Sequence, residues 1–445
     1  MTQYKSTAQK STLDKILFGA MIGLALMGLL CIMSAANVLS FSNAIVRTHL
    51  IALPAGLAAF FIARSFNYQI FDEQWKPLYG IILALLIGVL LFGSYQRGSK
   101  SWFVLPFFSF QPAELCRVLI ILTAAAFLDR QGRRIRDMRT LVLLGCLIAP
   151  VFGLIMLQPD FSSIVITFPA LLALLFCAGI NIFYLAMVMV FAVTAGFFTL
   201  AWTYLYLHPD LQDYVVFHVF ADLSVNVWYM LGFVGILAIL GYMVWWISRQ
   251  LRAAMPLFFI VLTGLVILAG FFTGVFVDRQ MKPYQRKRVE AFLAPHSDPQ
   301  GASYNVLQAQ IAMGSGGVWG KGLFSGTQSR LGFVPEKHTD FILAVVGEEL
   351  GLWGTLLALG LYLLILWRIA CIAYMSSDRY GYLVCGGIFG IFLTYMLINF
   401  GMLIGLFPVA GIPLPFISYG GSNLVSSMLA LGVVQSVYAR RITSV

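Results

Sequence analysis

The run PLFFIVLTGLVILAGFFTGVFV, Pro256–Val277, is 22 residues long and contains no charged side chain. A helix rises about 1.5 Å per residue, so such a run covers the roughly 30 Å hydrocarbon layer of a bilayer, where helices satisfy their own backbone polar groups. The run stops at Asp278, and the chain then changes character. From Asp278 to about Asp340 it is polar and holds eight of the 28 Lys and Arg residues. An apolar span that delivers the chain into a long cationic loop sets the reading on both sides of it.

Similar runs fall near residues 14–36, 48–63, 78–94, 112–128, 140–157, 161–179, 182–207, 228–247, 340–367, 381–405 and 421–439. Composition agrees: 60% of the 445 residues are hydrophobic, 10% are charged, and the mean hydropathy is +0.89. So few polar groups cannot cover a water-soluble globule. The expected fold is an all-α polytopic transmembrane bundle of about twelve spans, a single integral membrane domain over 1–445 with one large extracytoplasmic loop at 278–339. The apolar run after Lys15 is too long for a signal-peptide core and reads as a retained first span.

The formal charge of +10 does not point to nucleic acid, because the cations sit in short loops at alternate span ends. Lys5, Lys10 and Lys15 precede the first span, Arg130 to Arg139 follow the fourth, and Arg440 and Arg441 follow the last. The positive-inside rule then places both termini in the cytoplasm and the loop outside, with membrane lipid as the surrounding partner. The loop's cations run against that rule, so a role other than topology is expected of them. All six cysteines lie in or beside apolar runs without CxxC spacing and read as small hydrophobes.

Polar signals inside the apolar regions are few. Trp102 opens a short outer segment leading to Phe110-Gln111-Pro112-Ala113-Glu114. Pro112 suits a first helical turn, which sets Glu114 and Arg117 on one face, expected to pair, either to fix packing or to meet substrate. Gln158-Pro159-Asp160 repeats the Gln-Pro-acid pattern. Gly347-Glu348-Glu349-Leu350-Gly351 puts two adjacent acids in a span, and side chains about 100° apart on a helix are expected not to share one partner. Gly411 to Ser422 is a Pro- and Gly-rich entry to the last span, either lining a cavity or packed as a turn. The loop itself carries Asp298-Pro299, the glycine run Gly314 to Gly322, and Pro335-Glu336-Lys337-His338-Thr339-Asp340. Taken alone, Asp298-Pro299 reads as a turn.

These segments together resemble the SEDS family, the FtsW and RodA proteins of bacterial cell-wall synthesis, with the glycine run and the Pro-Glu-Lys-His segment closer to RodA. The resemblance is carried by Gln111 to Glu114, Gln158 to Asp160, Tyr284 to Val289, Asp298-Pro299, Ile311 to Gly317, Gly320 to Gly322, Pro335 to Phe341, Gly347 to Gly351 and Pro413 to Gly421. It implies a glycosyltransferase that polymerises lipid II on the outer face of the bacterial cytoplasmic (inner) membrane, working with a class B penicillin-binding protein. It implies that Asp298 is the essential acid. Family members have about ten spans, so two are extra here, roughly residues 210–255 plus part of the next run. The residues after Asp298 also depart from the family's usual pattern.

Strand growth needs a base for the acceptor hydroxyl and positive charge for the departing diphosphate. Asp298 is the candidate base, and Arg286, Arg288, Lys321 and Lys337 are the candidate diphosphate ligands, with Trp102, Gln111, Glu114 and Arg117 as further substrate-binding candidates. No metal-ligand cluster is evident, which leaves a divalent cation at the diphosphate open. Competing readings are a division polymerase like FtsW, a lipid II flippase using the intramembrane acids, and a non-catalytic scaffold.

Overall fold

The computed structural model describes residues 13–36, 44–96, 99–104, 109–252, 256–281, 283–294, 302–331, 333 and 336–441. They divide into two compact units, one built from residues up to Ile180 and from Asn305 onward, the other from Asn181–Tyr304.

The first unit begins with α1 (Lys15–Ala35), α2 (Ala44–Ser65), α3 (Gln69–Glu73) and α4 (Trp75–Phe92). Three short antiparallel strands follow, β1 (Ser94–Gln96), β2 (Ser99–Val104) and β3 (Ser109–Phe110), then α5 (Pro112–Gln131), α6 (Met138–Leu157) and α7 (Phe161–Ala178). The second unit holds α8 (Ile182–Leu207), α9 (Val215–Asp222), α10 (Val227–Gln250), α11 (Leu257–Gln280) and α12 (Pro283–Leu293). Beyond α13 (Ala302–Ser315) the first unit is completed by α14 (Thr327–Arg330), α15 (Ile342–Tyr374), α16 (Arg379–Leu403) and α17 (Gly421–Ala439).

Every apolar run in the sequence is a helix here. Among the described residues eleven helices are long and apolar enough to cross a membrane. The twelfth expected span, α5, has the length but carries Glu114, Arg117, Asp129 and Arg130. It is buried over most of its surface, so protein rather than lipid surrounds it and its composition need not be apolar all round. The loop expected between Asp278 and Asp340 is not irregular throughout, because α12, α13 and α14 lie within it.

Local chemistry explains the helix ends. Pro112 occupies the first turn of α5, as its spacing predicts. The Asp160 carboxylate accepts from Ser163 N at 3.2 Å to start α7, and Gly179, at φ 79°, ends that helix in the left-handed region. In the second unit the aromatic side chains of Phe198, Trp202 and Phe271 form the core with Leu223, and the Trp202 indole donates to Phe220 O at 3.1 Å, tying α9 to α8. Ser248 is the one fully buried residue of α10, which packs Tyr229, Met230 and Phe233 against that core and exposes much of its remaining surface.

In the first unit α2 and α17 pack closely, with Gly432 facing Phe60 O and Gly56 facing Met428. Asp14 clasps three helices at one end of this unit. Its carboxylate caps Leu17 N at 2.9 Å and pairs with Arg368, while its backbone exchanges hydrogen bonds with Gln435 at 3.1 and 3.0 Å. All six cysteines are free, and the reading of them as buried small hydrophobes holds for Cys31, Cys116 and Cys385, whereas Cys177 and Cys371 are partly buried and Cys146 is exposed.

The clasp makes a prediction. Asp14→Ala removes a cap and strands the Arg368 guanidinium, and is expected to cost about 3 to 5 kcal/mol. Asp14→Asn still offers a carbonyl to Leu17 N and is expected to cost clearly less. Thermal unfolding of the two purified variants in one detergent measures both, and equal losses would refute the clasp.

Candidate active site

The glycine run after α13 is shaped by a break in α15. Gly351, at φ 67° and ψ −160°, interrupts that helix, which leaves carbonyls before it and amides after it without helical partners. The loop backbone supplies them. Lys321 N donates to Glu348 O at 3.0 Å and Gly322 N to Glu349 O at 2.9 Å, while Leu352 N and Trp353 N donate to Gly317 O and Val318 O at 3.0 and 3.5 Å. The approach is close enough that a Cβ on Gly320 would collide with the Glu349 carbonyl.

Glu348 and Glu349 both turn into the segment that follows. Glu348 accepts from Lys321 Nζ at 2.9 Å, from Thr327 N, Thr327 Oγ1 and Gln328 N at 2.7, 3.2 and 2.8 Å, and from Ser329 N at 2.9 Å. Glu349 accepts from the Ser34 hydroxyl and from Phe324 N at 3.2 Å. The two carboxylates have no hydrogen-bond partner residue in common, as their spacing predicts, but one curled segment, 321–329, meets both side chains.

Lys321 has all three ammonium protons directed at protein acceptors, namely Glu348, Ser315 Oγ at 2.7 Å and Thr327 Oγ1 at 2.8 Å. Lys337 is half-buried and donates to Ser329 O. Burial pushes its pKa below the usual lysine value, against the pull of Glu348 and Glu349 in the other direction. The turn that carries it is fastened at His338, whose carbonyl accepts from Tyr419 N at 2.8 Å.

A second polar assembly lies between α5, α7, α16 and α17. Glu114 and Arg117 are both buried, but the direct pair expected from their spacing does not form: the Arg117 guanidinium goes to the Tyr395 hydroxyl and to Ser163 Oγ at 3.3 Å. Asn423 Nδ2 donates to the same Tyr395 hydroxyl at 2.8 Å. The Gln111 amide donates to Asp160 at 2.6 Å, which joins the two Gln-Pro-acid motifs directly. Among the described residues Glu114 Oε2 and Arg117 Nε have no hydrogen-bond partner, so this cluster retains capacity for a polar group. Trp102 lies half-buried on β2, opposite Ser94.

In the second unit Arg286 on α12 pairs with Asp278 at 2.9 Å and lies over the Tyr206 ring, 5.3 Å from its centroid. Arg288 is half-buried on the same helix. Asp298 lies outside the described residues. Among the described residues no group of three or more His, Cys, Asp or Glu side chains is placed to hold a metal ion. Tyr395 and Asn423 were not flagged from sequence, and their only signal was being polar in otherwise apolar spans.

The chain matches the cell cycle protein family of FtsW, RodA and SpoVE over residues 14–222 and 213–442. It is 31% identical over 444 residues to the peptidoglycan glycosyltransferase RodA of Treponema pallidum (strain Nichols), covering 97% of this chain and 99% of that one. It is 32% identical over 370 residues to the peptidoglycan glycosyltransferase MrdB of Escherichia coli (strain K12), covering 83% of this chain and 79% of that one. Its fold is shared, at a TM-score of 0.63 and 24% identity over 97% of this chain and 99% of the other, with a chain from a peptidoglycan synthase complex in which polymerization and crosslinking are coordinated. With its spans, its motifs and the family match extending over almost its whole length, this chain belongs to the FtsW/RodA/SpoVE family.

Proposed function

We propose that this protein is a peptidoglycan glycosyltransferase of the RodA kind, a multi-pass protein of the bacterial inner membrane that polymerises lipid II on the outer face. The observation that carries this reading is its similarity along most of the chain to curated peptidoglycan glycosyltransferases.

The reaction joins an acceptor hydroxyl to the anomeric carbon of the donor sugar and breaks the bond to undecaprenyl diphosphate. Asp298 takes the hydroxyl proton as general base. Cations stabilise the negative charge that develops on the leaving diphosphate. Of the four candidates, Arg288 and Lys337 have no carboxylate partner among the described residues, which suits them to that role, whereas Arg286 and Lys321 are paired with Asp278 and Glu348. Gln111, Glu114, Arg117 and Trp102 bind other parts of the substrate, and the unused Glu114 Oε2 and Arg117 Nε support this.

A class B penicillin-binding protein is the proposed partner. The shared fold with a chain from a complex that couples polymerization to crosslinking supports it. Both termini lie in the cytoplasm and residues 278–339 outside, as the placement of cations at span ends supports.

Two measurements test this reading. Asp298→Asn keeps the side chain's shape but removes its basicity, and is expected to lower initial polymerisation of lipid II about 10²- to 10⁴-fold while lipid II affinity stays near wild type. Near-normal polymerisation by that variant would exclude Asp298 as the base, since Asn before Pro also forms turns. In a cysteine-free background, Ser297→Cys is expected to react with a membrane-impermeant maleimide added to intact spheroplasts, and Arg134→Cys to be protected. The reverse pattern would invert the topology.

A further inference from the structure

Glu348 is completely buried, yet its carboxylate makes all of its hydrogen bonds to the segment 321–329. Three successive amides, Thr327, Gln328 and Ser329, converge on it, and the carbonyl of the last of these residues receives the Lys337 ammonium. We infer that Glu348 is a positioning residue for Lys337, and that Lys321 is the counter-charge of Glu348 rather than a ligand of the substrate.

A buried carboxylate is tolerated only when it is paired and richly hydrogen-bonded. Glu348 meets that condition through one ammonium, one hydroxyl and three amides, which together fix the conformation of residues 327–329. There is no slack: a Cβ on Gly326 would lie 3.0 Å from Glu348 Oε2 and 3.1 Å from Glu349 Oε1. Lys321 has no proton left for a phosphate oxygen, because its three are used by Glu348, Ser315 and Thr327. Lys337 gives one proton to Ser329 O, and among the described residues no acceptor takes the other two, which suits them to a ligand. Glu349 holds the same segment further back, at Phe324 N, and also accepts from Ser34.

The effect on turnover rests on the glycosyltransferase reading, but the placement of Lys337 does not. Two readouts on purified full-length protein in detergent therefore keep the ideas apart: acetylation of Lys337 by an N-hydroxysuccinimide ester, followed by peptide mass spectrometry, and polymerisation of lipid II. Glu348→Gln removes a charge that favours the Lys337 ammonium and puts an amide donor against backbone amides. Lys337 is then expected to acetylate about tenfold faster, and KM for lipid II to rise about tenfold with a smaller change in kcat. Lys321→Met is expected to act in the same direction, and the double variant to be no worse than the worse single one. Wild-type rates of Lys337 acetylation in folded Glu348→Gln, or Glu348→Gln and Lys321→Met effects that multiply, would overturn the inference. Should Glu348→Gln fail to fold, unchanged Lys337 labelling in Lys321→Met, which leaves Glu348 its other hydrogen bonds, overturns it instead. Absence of polymer from the wild type refutes the glycosyltransferase reading alone, and the labelling still decides the role of Glu348.

Discussion

The break at Gly351 leaves amides and carbonyls that water does not reach freely, and an unpaired buried group of this kind costs about 1 to 3 kcal/mol. The stretch of α15 beyond the break, Leu352–Tyr374, rises about 35 Å, enough to cross the hydrocarbon layer, and the break lies roughly 14 Å from the start of the helix. The backbone of residues 317–322 closes the break from both sides. Loop and span thereby become one body, and the side chains the loop carries inherit the rigidity of a transmembrane helix. Glycine is required where the two backbones touch, at Gly320 for space and at Gly351 for its positive φ.

Buried charge is handled in two ways within the first unit. The carboxylates of Asp14, paired with Arg368, and of Glu348, paired with Lys321, have both oxygens hydrogen-bonded and serve to join elements far apart in sequence, although Arg368 Nε has no partner among the described residues. Glu114 and Arg117 are buried as deeply but not saturated, since each keeps an unpartnered polar atom. A saturated carboxylate has no free valence with which to bind a ligand, whereas an unsaturated one is held at a cost that only a ligand or water relieves. That difference separates scaffolding from candidate substrate contacts more sharply than the presence of charge does.

Spans were legible because hydrophobic runs of about 20 residues report on lipid directly. Even α5, with four charged residues, was found from its run at 112–128. The helices α12, α13 and α14 were missed because their sequences are polar and short, and tertiary contacts rather than an apolar stripe hold them. Pairing was the least legible property. The i,i+3 spacing of Glu114 and Arg117 suggested a direct pair, but Tyr395 and Ser163, far away in sequence, compete successfully for the guanidinium. Helical geometry gave Glu348 and Glu349 separate partner residues, which they have, but nothing local shows that one segment, 321–329, supplies partners to both.

The Pro- and Gly-rich entry to α17 links the two polar assemblies. Residues 412–418 are packed in protein, with Tyr362 donating to Pro415 O and Gly28 lying against Phe416 and Ile417, so the segment is a packed turn. Immediately after it, Tyr419 N holds the carbonyl of His338, next to Lys337, while Ser422 Oγ accepts from Gln111 N at 3.2 Å and Asn423 reaches the Tyr395 hydroxyl that also holds Arg117. Three residues within five positions, Tyr419, Ser422 and Asn423, therefore touch the cationic turn, the start of α5 and the buried Arg117 cluster. Because the preceding turn is locked against α1 and α15, these contacts cannot slide independently. The position of Lys337 on its turn and that of Arg117 within the bundle are referred to the same short stretch of backbone.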